Sequence, residues 1–244
     1  MKENPYNNDI FFKKYSEMSR SKEGLNGAGE WSELQRLLPD FAGKSVLDLG
    51  CGYGWHCAYA AGHGASSVLG IDISDKMLRT AREKNSHSKI TYRQEAMEDL
   101  HFDYSTFDIV LSSLAFHYIE NYQELVRNIH QWLTPGGSFV FSVEHPVFTA
   151  YGSQDWIYDE SGKILHFPVD NYYYEGKRDA VFLGEHVTKY HRTLTTYLHT
   201  LLMEGFTILD VVEPMPPENM MDLPGMKDEM RRPMMLLISA RKKD

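Results

Sequence analysis

A run of glycines that directly follows an apolar strand pattern is the part of this sequence most suited to chemistry. Residues 46–54 read Val-Leu-Asp-Leu-Gly-Cys-Gly-Tyr-Gly. Glycines at alternate positions permit a tight strand-to-helix turn and leave no Cβ between the main chain and a ligand. A dinucleotide-binding turn would need glycine at position 55, which is Trp55, and the Asp48 carboxylate would repel dinucleotide phosphates. The turn therefore favours a ligand with an ammonium group and no phosphate. The expected ligand contacts here are Asp48, Gly50, Cys51, Gly52 and Gly54.

A second acidic residue follows at the spacing of a ribose-binding carboxylate. The apolar run from Val68 ends at Asp72, about 20 residues beyond the turn, where a carboxylate accepts hydrogen bonds from ribose hydroxyls. The motif Asp-x-Gly-x-Gly-x-Gly, together with this second acid, resembles the class I S-adenosylmethionine (SAM)-dependent methyltransferases. Residues 90–100, 107–118 and 133–143 resemble the later segments of that family in the same order. The resemblance thus extends over roughly residues 44–145.

The resemblance implies a cofactor, SAM, with S-adenosylhomocysteine as its product. It implies that Asp72 binds the ribose, and that Glu95, Ala96 and Met97 meet the adenine edge. The family more often has Asp at the position of Glu95. The other residues that it implies at the cofactor are Ile73, Met77, Ser112, Ser113, Tyr15 and Arg20.

Length and periodicity predict the fold class. A chain of 244 residues with alternating strand and helix patterns predicts one α/β domain with a mainly parallel sheet and helices on both faces. The resemblance implies a Rossmann-like, doubly wound sheet of seven strands, in which residues 206–212 and 234–240 form an antiparallel hairpin at the carboxyl-terminal edge. The predicted helices are residues 31–38, 55–63, 75–84, 122–132 and 193–204, with Ser74 and Thr193 as N-caps and Gly205 as a stop.

Composition disfavours several other classes of protein. The formal net charge of −9 argues against a general nucleic-acid binder. Cys51 and Cys57 match no disulfide or zinc pattern, and the histidines show no paired ligand spacing, so we predict no metal. No apolar run approaches the ~18 residues of a membrane span. We therefore expect a cytoplasmic protein.

Three histidines occupy positions from which a general base could act on an acceptor. His117 follows the predicted fourth strand, His145 follows the fifth, and His191 precedes the helix that begins after Thr193. Imidazole titrates near neutral pH, which suits proton removal from a hydroxyl or an ammonium. Packing or a structural hydrogen bond is the alternative explanation for each. Transfer by in-line displacement needs positioning and exclusion of water more than it needs a base.

Two segments outside the motifs are expected to cover the site. Residues 146–190 form an aromatic-rich insertion that could line an acceptor pocket or simply anchor a long loop. Residues 1–30 form the second segment, in which Phe11, Phe12 and Tyr15 share a helical stripe and Gly24, Gly27 and Gly29 suggest a hinge. In similar methyltransferases such a segment closes over SAM, which would bring Arg20 to the SAM carboxylate.

The leading hypothesis is methyl transfer to a small-molecule acceptor at oxygen, nitrogen or carbon. The alternatives are a protein or RNA methyltransferase, which would need an extended charged groove, and a SAM-binding module without turnover. An NAD-dependent oxidoreductase is disfavoured by Asp48 and Trp55. Nucleic acid and membrane are not expected as partners, and the sequence does not fix the oligomeric state.

Overall fold

Strands and helices alternate along most of the chain. The computed structural model describes residues 4–244. Its strands are β1 (Ser45–Leu49), β2 (Ser67–Asp72), β3 (Ile90–Gln94), β4 (Phe107–Ser113), β5 (Leu133–Glu144), β6 (Ile157–Tyr158), β7 (Ile164–His166), β8 (Gly176–Phe182), β9 (Glu185–His191), β10 (Phe206–Val212) and β11 (Met235–Lys242). Its helices are α1 (Asp9–Ser16), α2 (Ser19–Lys22), α3 (Trp31–Leu37), α4 (Trp55–Gly62), α5 (Asp75–Lys84), α6 (Tyr122–Trp132), α7 (Pro146–Ala150), α8 (Leu194–Met203) and α9 (Met226–Glu229).

Seven strands form the main sheet, in the order β10-β11-β5-β4-β1-β2-β3. Pairing is parallel from β5 to β3, whereas β11 runs antiparallel to both β5 and β10. The predicted seven-stranded sheet with its antiparallel edge hairpin is therefore confirmed. The chain proceeds from β1 towards β3 on one side and from β4 towards β5 on the other. Ligands of open α/β sheets bind at the carboxyl ends of the strands where the order reverses, which here is between β1 and β4.

The five predicted helices, which are α3, α4, α5, α6 and α8, begin and end within one residue of the predicted bounds. The Ser74 side chain accepts a hydrogen bond from the Met77 amide at the start of α5, and Thr193 does the same for Thr196 at the start of α8. Gly205 follows α8 with a φ of +91°, a conformation that favours glycine. Within residues 4–244, no helix is both long enough and apolar enough to cross a bilayer.

Two hydrophobic layers cover the faces of the sheet. Consecutive residues of β4 enter opposite layers, because Val110 joins one cluster while Ile109 and Leu111 join the other. Burial on both faces explains why β4 reads as a continuous apolar run and not as an alternating one. The central strands are therefore held rigidly, and their carboxyl ends provide fixed positions for the side chains of a site.

The insertion after β5 is more regular than a loop. It contains helix α7 and two antiparallel hairpins, β6–β7 and β8–β9, none of which the sequence analysis assigned. The β8–β9 turn is formed by Leu183 and Gly184, with φ of +55° and +75°. Positive φ at both positions is typical of the two-residue turns that match the twist of a hairpin.

Candidate active site

One cavity of about 580 Å³ lies at the carboxyl ends of the central strands. Its volume is within the range of about 300–1,000 Å³ that is typical of small-molecule sites. Most of the residues that the motifs single out for the cofactor line it. They are Tyr15, Arg20, Gly50, Gly52, Asp72, Ile73, Met77, Glu95, Ala96, Met97 and Ser113.

Asp72 lies on the wall of this cavity with both carboxylate oxygens fixed by hydrogen bonds. As the last residue of β2 it turns its carboxylate to the sheet edge, where Oδ2 accepts the Gly52 amide at 2.9 Å and Oδ1 accepts the Ser74 amide at 2.8 Å. Burial raises the pKa of the Asp72 carboxyl to about 6, although the backbone donors act against that shift. Each oxygen has a further lone pair, which suits hydrogen bonds from a pair of ribose hydroxyls.

The three glycines of the turn serve different purposes. A Cβ on Gly50 would lie 2.5 Å from the Cβ of Ala115, and one on Gly54 would lie 2.2 Å from the hydroxyl of Tyr92. These two glycines are therefore required by packing. Gly52, with a φ of +53°, has no heavy atom within 4 Å of the Cβ it lacks. Because Gly52 also lines the cavity, it is the glycine that leaves room for a ligand against the main chain.

A smaller pocket of about 70 Å³ adjoins the main cavity beside the turn. Both Arg20 and Glu30 line it, and the Arg20 Nη2 donates to the two Glu30 oxygens at 2.6 and 2.7 Å. Trp55 lines it too, and its indole Nε1 is buried with no hydrogen-bond partner among residues 4–244. An unpaired buried donor is costly. A bound amino-acid moiety offers a carboxylate to Arg20 and Trp55 and an ammonium to Glu30, so these residues fit the methionine end of SAM.

The structure does not bring four of the expected cofactor contacts to the main cavity. Asp48 is 1% exposed and accepts a hydrogen bond from the Cys57 thiol at 3.2 Å, so it lies behind the turn. Ser112 donates to the Leu49 carbonyl at 2.8 Å. Cys51 lines the smaller pocket and not the main cavity, and Gly54 is packed against Tyr92. For Asp48 and Ser112 the physical reason is that β1 and β4 are central strands, whose side chains point into the layers above and below the sheet.

The buried position of Asp48 has a consequence for stability. Burial raises the pKa of its carboxyl to about 7, well above the ordinary value near 3.9. The folded state therefore holds a proton that the unfolded state releases, and stability is lost as pH rises through this range. We expect Asp48→Asn to become more stable than the wild type as pH rises from about 4 to 7, with a difference of about 2 kcal/mol above pH 7 after the cost of the buried amide.

Urea denaturation of the two proteins at pH 5, 6, 7 and 8 measures this difference directly. Asp103→Asn, which removes an exposed carboxylate, is the control and should show no such trend. A constant difference between Asp48→Asn and the wild type across this range would contradict the buried, proton-binding state of Asp48.

The other end of the cavity is formed by the loop after β4, the end of β5 and the β8–β9 hairpin. Its side chains are His117, Tyr118, Glu120, Glu144, Lys177, Phe182, Thr188 and Tyr190. His117 is 2% exposed, and burial lowers its pKa to about 4. Its Nδ1 accepts the Glu144 amide at 3.4 Å, and its Nε2 lies 4.0 Å from Glu144 Oε1. His117 is thus a neutral hydrogen-bonding group at neutral pH.

The structure does not place His145 or His191 on the cavity wall. His145 caps α7, because its Nδ1 accepts the Val147 amide at 3.0 Å. His191 is fully buried, and its two ring nitrogens lie 2.7 Å from Thr149 Oγ1 and 2.9 Å from the Tyr172 carbonyl. Both histidines therefore secure the insertion, and neither enters our proposal for catalysis. Within residues 4–244, no group of three or more His, Cys, Asp or Glu side chains is arranged to hold a metal ion.

The amino-terminal segment bridges the two ends of the cavity. On the cofactor side, Asn7 accepts a hydrogen bond from the Ser74 hydroxyl at 2.7 Å. On the hairpin side, Lys14 donates to the Leu183 carbonyl at 2.8 Å, and the rings of Phe11 and Phe182 pack with centroids 5.7 Å apart. Residues 1–3 of the expected 1–30 cover lie outside the described residues.

Two of the three glycines that suggested a hinge in this segment, Gly24 and Gly27, are closely packed, whereas a Cβ on Gly29 would make only ordinary contacts, the nearest at 3.6 Å. A Cβ on Gly27 would lie 2.4 Å from the Ser19 carbonyl oxygen, and one on Gly24 would lie 3.0 Å from the Trp55 ring. Both therefore have a packing reason to be glycine.

Of the polar residues at the acceptor end, His117 was predicted from the sequence and the others were not. Glu144 was open to detection, because it is an acidic residue at the end of a predicted strand, the same signal that identified Asp72. Glu120, Lys177 and Tyr190 carry no such signal, since they lie in a loop and a hairpin that only the fold brings to the cavity.

Comparison with known proteins agrees with this geometry. Residues 47–141 match the methyltransferase domain family. A crystal structure of a candidate SAM-dependent methyltransferase from Listeria monocytogenes is 56% identical, with a TM-score of 0.87, and covers 91% of this chain and 100% of that one. A SAM-dependent methyltransferase from Mesorhizobium loti is 44% identical in sequence, with a TM-score of 0.83, and the match covers 90% of this chain and 100% of that one. A ubiquinone biosynthesis O-methyltransferase from Coxiella burnetii is 29% identical over 150 residues, 57% of this chain and 63% of that relative.

The chain therefore belongs to the class I SAM-dependent methyltransferases. It is an enzyme whose cofactor is SAM and whose cofactor product is S-adenosylhomocysteine.

Proposed function

We propose that the enzyme transfers a methyl group to a small-molecule acceptor enclosed beneath the β8–β9 hairpin. The observation that carries this proposal is the continuity of the cavity. One end is formed by Gly52 and Asp72, and the other end by His117, Glu144 and Tyr190 of the acceptor side. A cavity built in this way has room for a cofactor and a second ligand side by side.

The covers favour a small acceptor over a macromolecule. The amino-terminal segment and the hairpin tip contact each other through Lys14 and Leu183, so the two covers meet each other. A protein or RNA substrate needs an open groove, and the net charge of −9 disfavours RNA. The polar side chains at the acceptor end favour turnover over a SAM-binding module, because a module has no need of a second, prepared subsite.

The residues that line the cavity bind the cofactor, orient the acceptor and exclude water. Asp72 would hold the ribose, while Arg20, Glu30 and Trp55 would hold the amino-acid moiety. When bound, SAM supplies a methyl group on a positively charged sulfur, which makes that carbon open to attack by a nucleophile. Positioning of the acceptor next to this carbon in a closed site accounts for most of the catalysis that such a transfer requires.

His117 is the histidine that we retain in the site. Replacement by alanine is expected to lower turnover at least tenfold while the dissociation constant of SAM changes less than twofold, because His117 lies at the acceptor end. Since its pKa is about 4, His117 is already neutral across pH 6–8, and the pH profile in that range should keep its shape in the variant. Equal losses of turnover and SAM affinity would indicate a packing role instead.

Transfer of tritium from methyl-labelled SAM tests the proposed function. A bacterial extract is separated by ultrafiltration into small molecules and macromolecules, and each fraction is incubated with enzyme and labelled SAM. We expect labelled products other than SAM in the small-molecule fraction and no labelled macromolecule. Label confined to protein or RNA would overturn the proposal, and so would SAM binding without transfer to either fraction.

A further inference from the structure

Glu144 is held at the acceptor end of the cavity by two residues of the insertion. It is the last residue of β5, lines the cavity and has a side chain that is 14% exposed. Its Oε1 accepts a hydrogen bond from Lys189 at 2.6 Å, and its Oε2 accepts one from the Gln154 amide at 2.7 Å. Lys189 also donates to Gln154 Oε1 at 2.8 Å. The three side chains therefore close a ring that fixes the carboxylate.

This arrangement is costly for the fold. Lys189 is only 2% exposed, and buried ion pairs contribute little to stability because both charges lose their hydration. Gln154 has a φ of +57°, which is unfavourable for a residue with a side chain. Strain and buried charge of this kind cluster at functional sites. Since the ring ends on the wall of a ligand cavity, recognition of a ligand explains it better than stability does.

Glu144 is charged in this environment. Burial acts to raise the pKa of its carboxyl, but the interactions with His117, Lys189 and Gln154 outweigh burial, and the pKa is held below its ordinary value. The charge of Glu144 also acts on the hydroxyls of Tyr118 and Tyr197. Glu144 is therefore a fixed acceptor of hydrogen bonds that cannot donate one.

We propose that Glu144 recognises the methyl acceptor, and that the acceptor is a small molecule methylated on an amine nitrogen. This inference rests on the proposed function. A neutral amine donates an N–H to the carboxylate, and its lone pair forms the new bond to the methyl carbon. The bond from that carbon to sulfur breaks at the same time, and its electron pair leaves on S-adenosylhomocysteine. The methylated nitrogen is then positively charged, and any proton that it loses passes to solvent. An ammonium that binds there first loses one proton to solvent.

Two features of the wall favour an amine over an alcohol or a carbon acid. The first concerns the two titratable groups in contact at the end of β5: His117 and Glu144 both hold protons weakly, so neither suits proton removal from an alcohol or a carbon acid, whereas a neutral amine needs no base. The second is the aromatic surface at Tyr6 and Tyr118, whose rings pack edge to face with centroids 6.1 Å apart. Such rings attract a positively charged nitrogen.

The test uses tritium-labelled SAM and the small-molecule fraction of a bacterial extract. Labelled products are isolated, and tandem mass spectrometry assigns the methyl group to nitrogen, oxygen or carbon. We expect N-methyl products, and we expect Glu144→Gln to lower their rate of formation at least 100-fold with S-adenosylhomocysteine affinity unchanged within twofold. Products methylated on oxygen or carbon would overturn the amine assignment, and full activity of Glu144→Gln would overturn the role of Glu144. Absence of any labelled small molecule would instead overturn the proposed function.

Glu204→Gln is the matched control. Glu204 is 13% exposed and accepts hydrogen bonds from Arg127 and from the Gln123 amide, so it matches Glu144 in its own exposure and in the types of its partners, although Arg127 is more exposed than Lys189. Glu204 does not line the cavity. Its replacement should leave N-methylation unchanged. A loss equal to that of Glu144→Gln would show that removal of any paired carboxylate has this effect, and would overturn the inference.

Lys189 is a positioning residue in this proposal, and its role has a separate signature. We expect the N-methylation rate to fall at low pH as Glu144 becomes protonated. His117, Lys189 and Gln154 together lower the pKa of Glu144, and Lys189→Met removes one of these contributions, so the fall should move to higher pH, while Lys189→Arg should restore the wild-type profile. An unshifted profile in a folded Lys189→Met protein would contradict the positioning role.

Discussion

Replacement of Asp72 by asparagine is expected to weaken binding of S-adenosylhomocysteine about 100-fold while the chain remains folded. Hydrogen bonds to a charged group contribute about 1.5–3 kcal/mol each, and Asp72 has a lone pair on each oxygen for the ribose hydroxyls. Loss of one such bond and weakening of the other amounts to about 3 kcal/mol, or about 100-fold in affinity. The asparagine carbonyl still accepts one of the amides of Gly52 and Ser74, which preserves part of the turn. Isothermal titration of both proteins measures the change.

The same carboxylate makes cofactor binding depend on pH. Burial raises its pKa to about 6, so the wild-type protein has a protonated Asp72 below pH 6 and loses a hydrogen-bond acceptor there. Affinity for S-adenosylhomocysteine should fall as pH decreases from 7 to 5 in the wild type and should change little in Asp72→Asn. Equal affinity of the two proteins for S-adenosylhomocysteine at pH 8 would contradict the ribose-binding role. If the affinity fell equally in both proteins as pH decreased, the titrating group would be one other than Asp72.

Asp48 and Asp72 show how far strand-end acids can be interpreted from sequence. Both residues follow an apolar run and precede a turn, and sequence reasoning gave both a ligand role. Asp72 is the last residue of its strand, so its side chain reaches the sheet edge. Asp48 lies one residue inside β1 and pairs in register with Gly70 on one side and Leu111 on the other. A side chain inside a central strand must enter a buried layer, and the order of strands that makes β1 central is a property of the whole fold.

The insertion shows a second reason for incomplete prediction. Alternate residues of β9 are buried, at Val187, Lys189 and His191, which is the period of a strand. Because two of these three buried residues are polar, the sequence of β9 does not show the alternation of apolar and polar residues by which a strand is recognised. Their burial depends on partners far away in the chain, such as Glu144, which is 45 residues from Lys189. Local patterns therefore predicted the glycine turn, the helix caps and the sheet, but at the acceptor end of the cavity they identified only His117.

The two segments that cover the cavity contact each other and the residues at the ends of the central strands. The amino-terminal segment meets the cofactor end through Asn7 and meets the hairpin through Lys14. The hairpin in turn supplies Lys189 to Glu144. The acceptor end is therefore complete only when the insertion is packed on β5, which explains why a segment outside the methyltransferase motifs forms so much of the site.

Gly52→Val is expected to abolish detectable cofactor binding with only a modest loss of stability. Gly52 has a φ of +53° and open space where its Cβ would be, so valine strains the backbone but meets no protein atom within 4 Å of its Cβ. The strain costs roughly 1–2 kcal/mol, which most folded domains tolerate. The branched side chain then occupies the part of the cavity where the cofactor meets the main chain. Isothermal titration with S-adenosylhomocysteine should show at least a 100-fold loss.

Gly162→Val separates backbone strain from occlusion of the cavity. Gly162 has a φ of +81°, also lacks any atom within 4 Å of its missing Cβ, and lies between β6 and β7 away from the cavity. We expect Gly162→Val to lose about as much stability as Gly52→Val does but to bind S-adenosylhomocysteine with the affinity of the wild type. Gly54→Ala, in contrast, should be destabilised by its contact with Tyr92. If Gly52→Val binds the cofactor as tightly as Gly162→Val does, the open space at Gly52 is not where the cofactor lies, and the assignment of this turn must be revised.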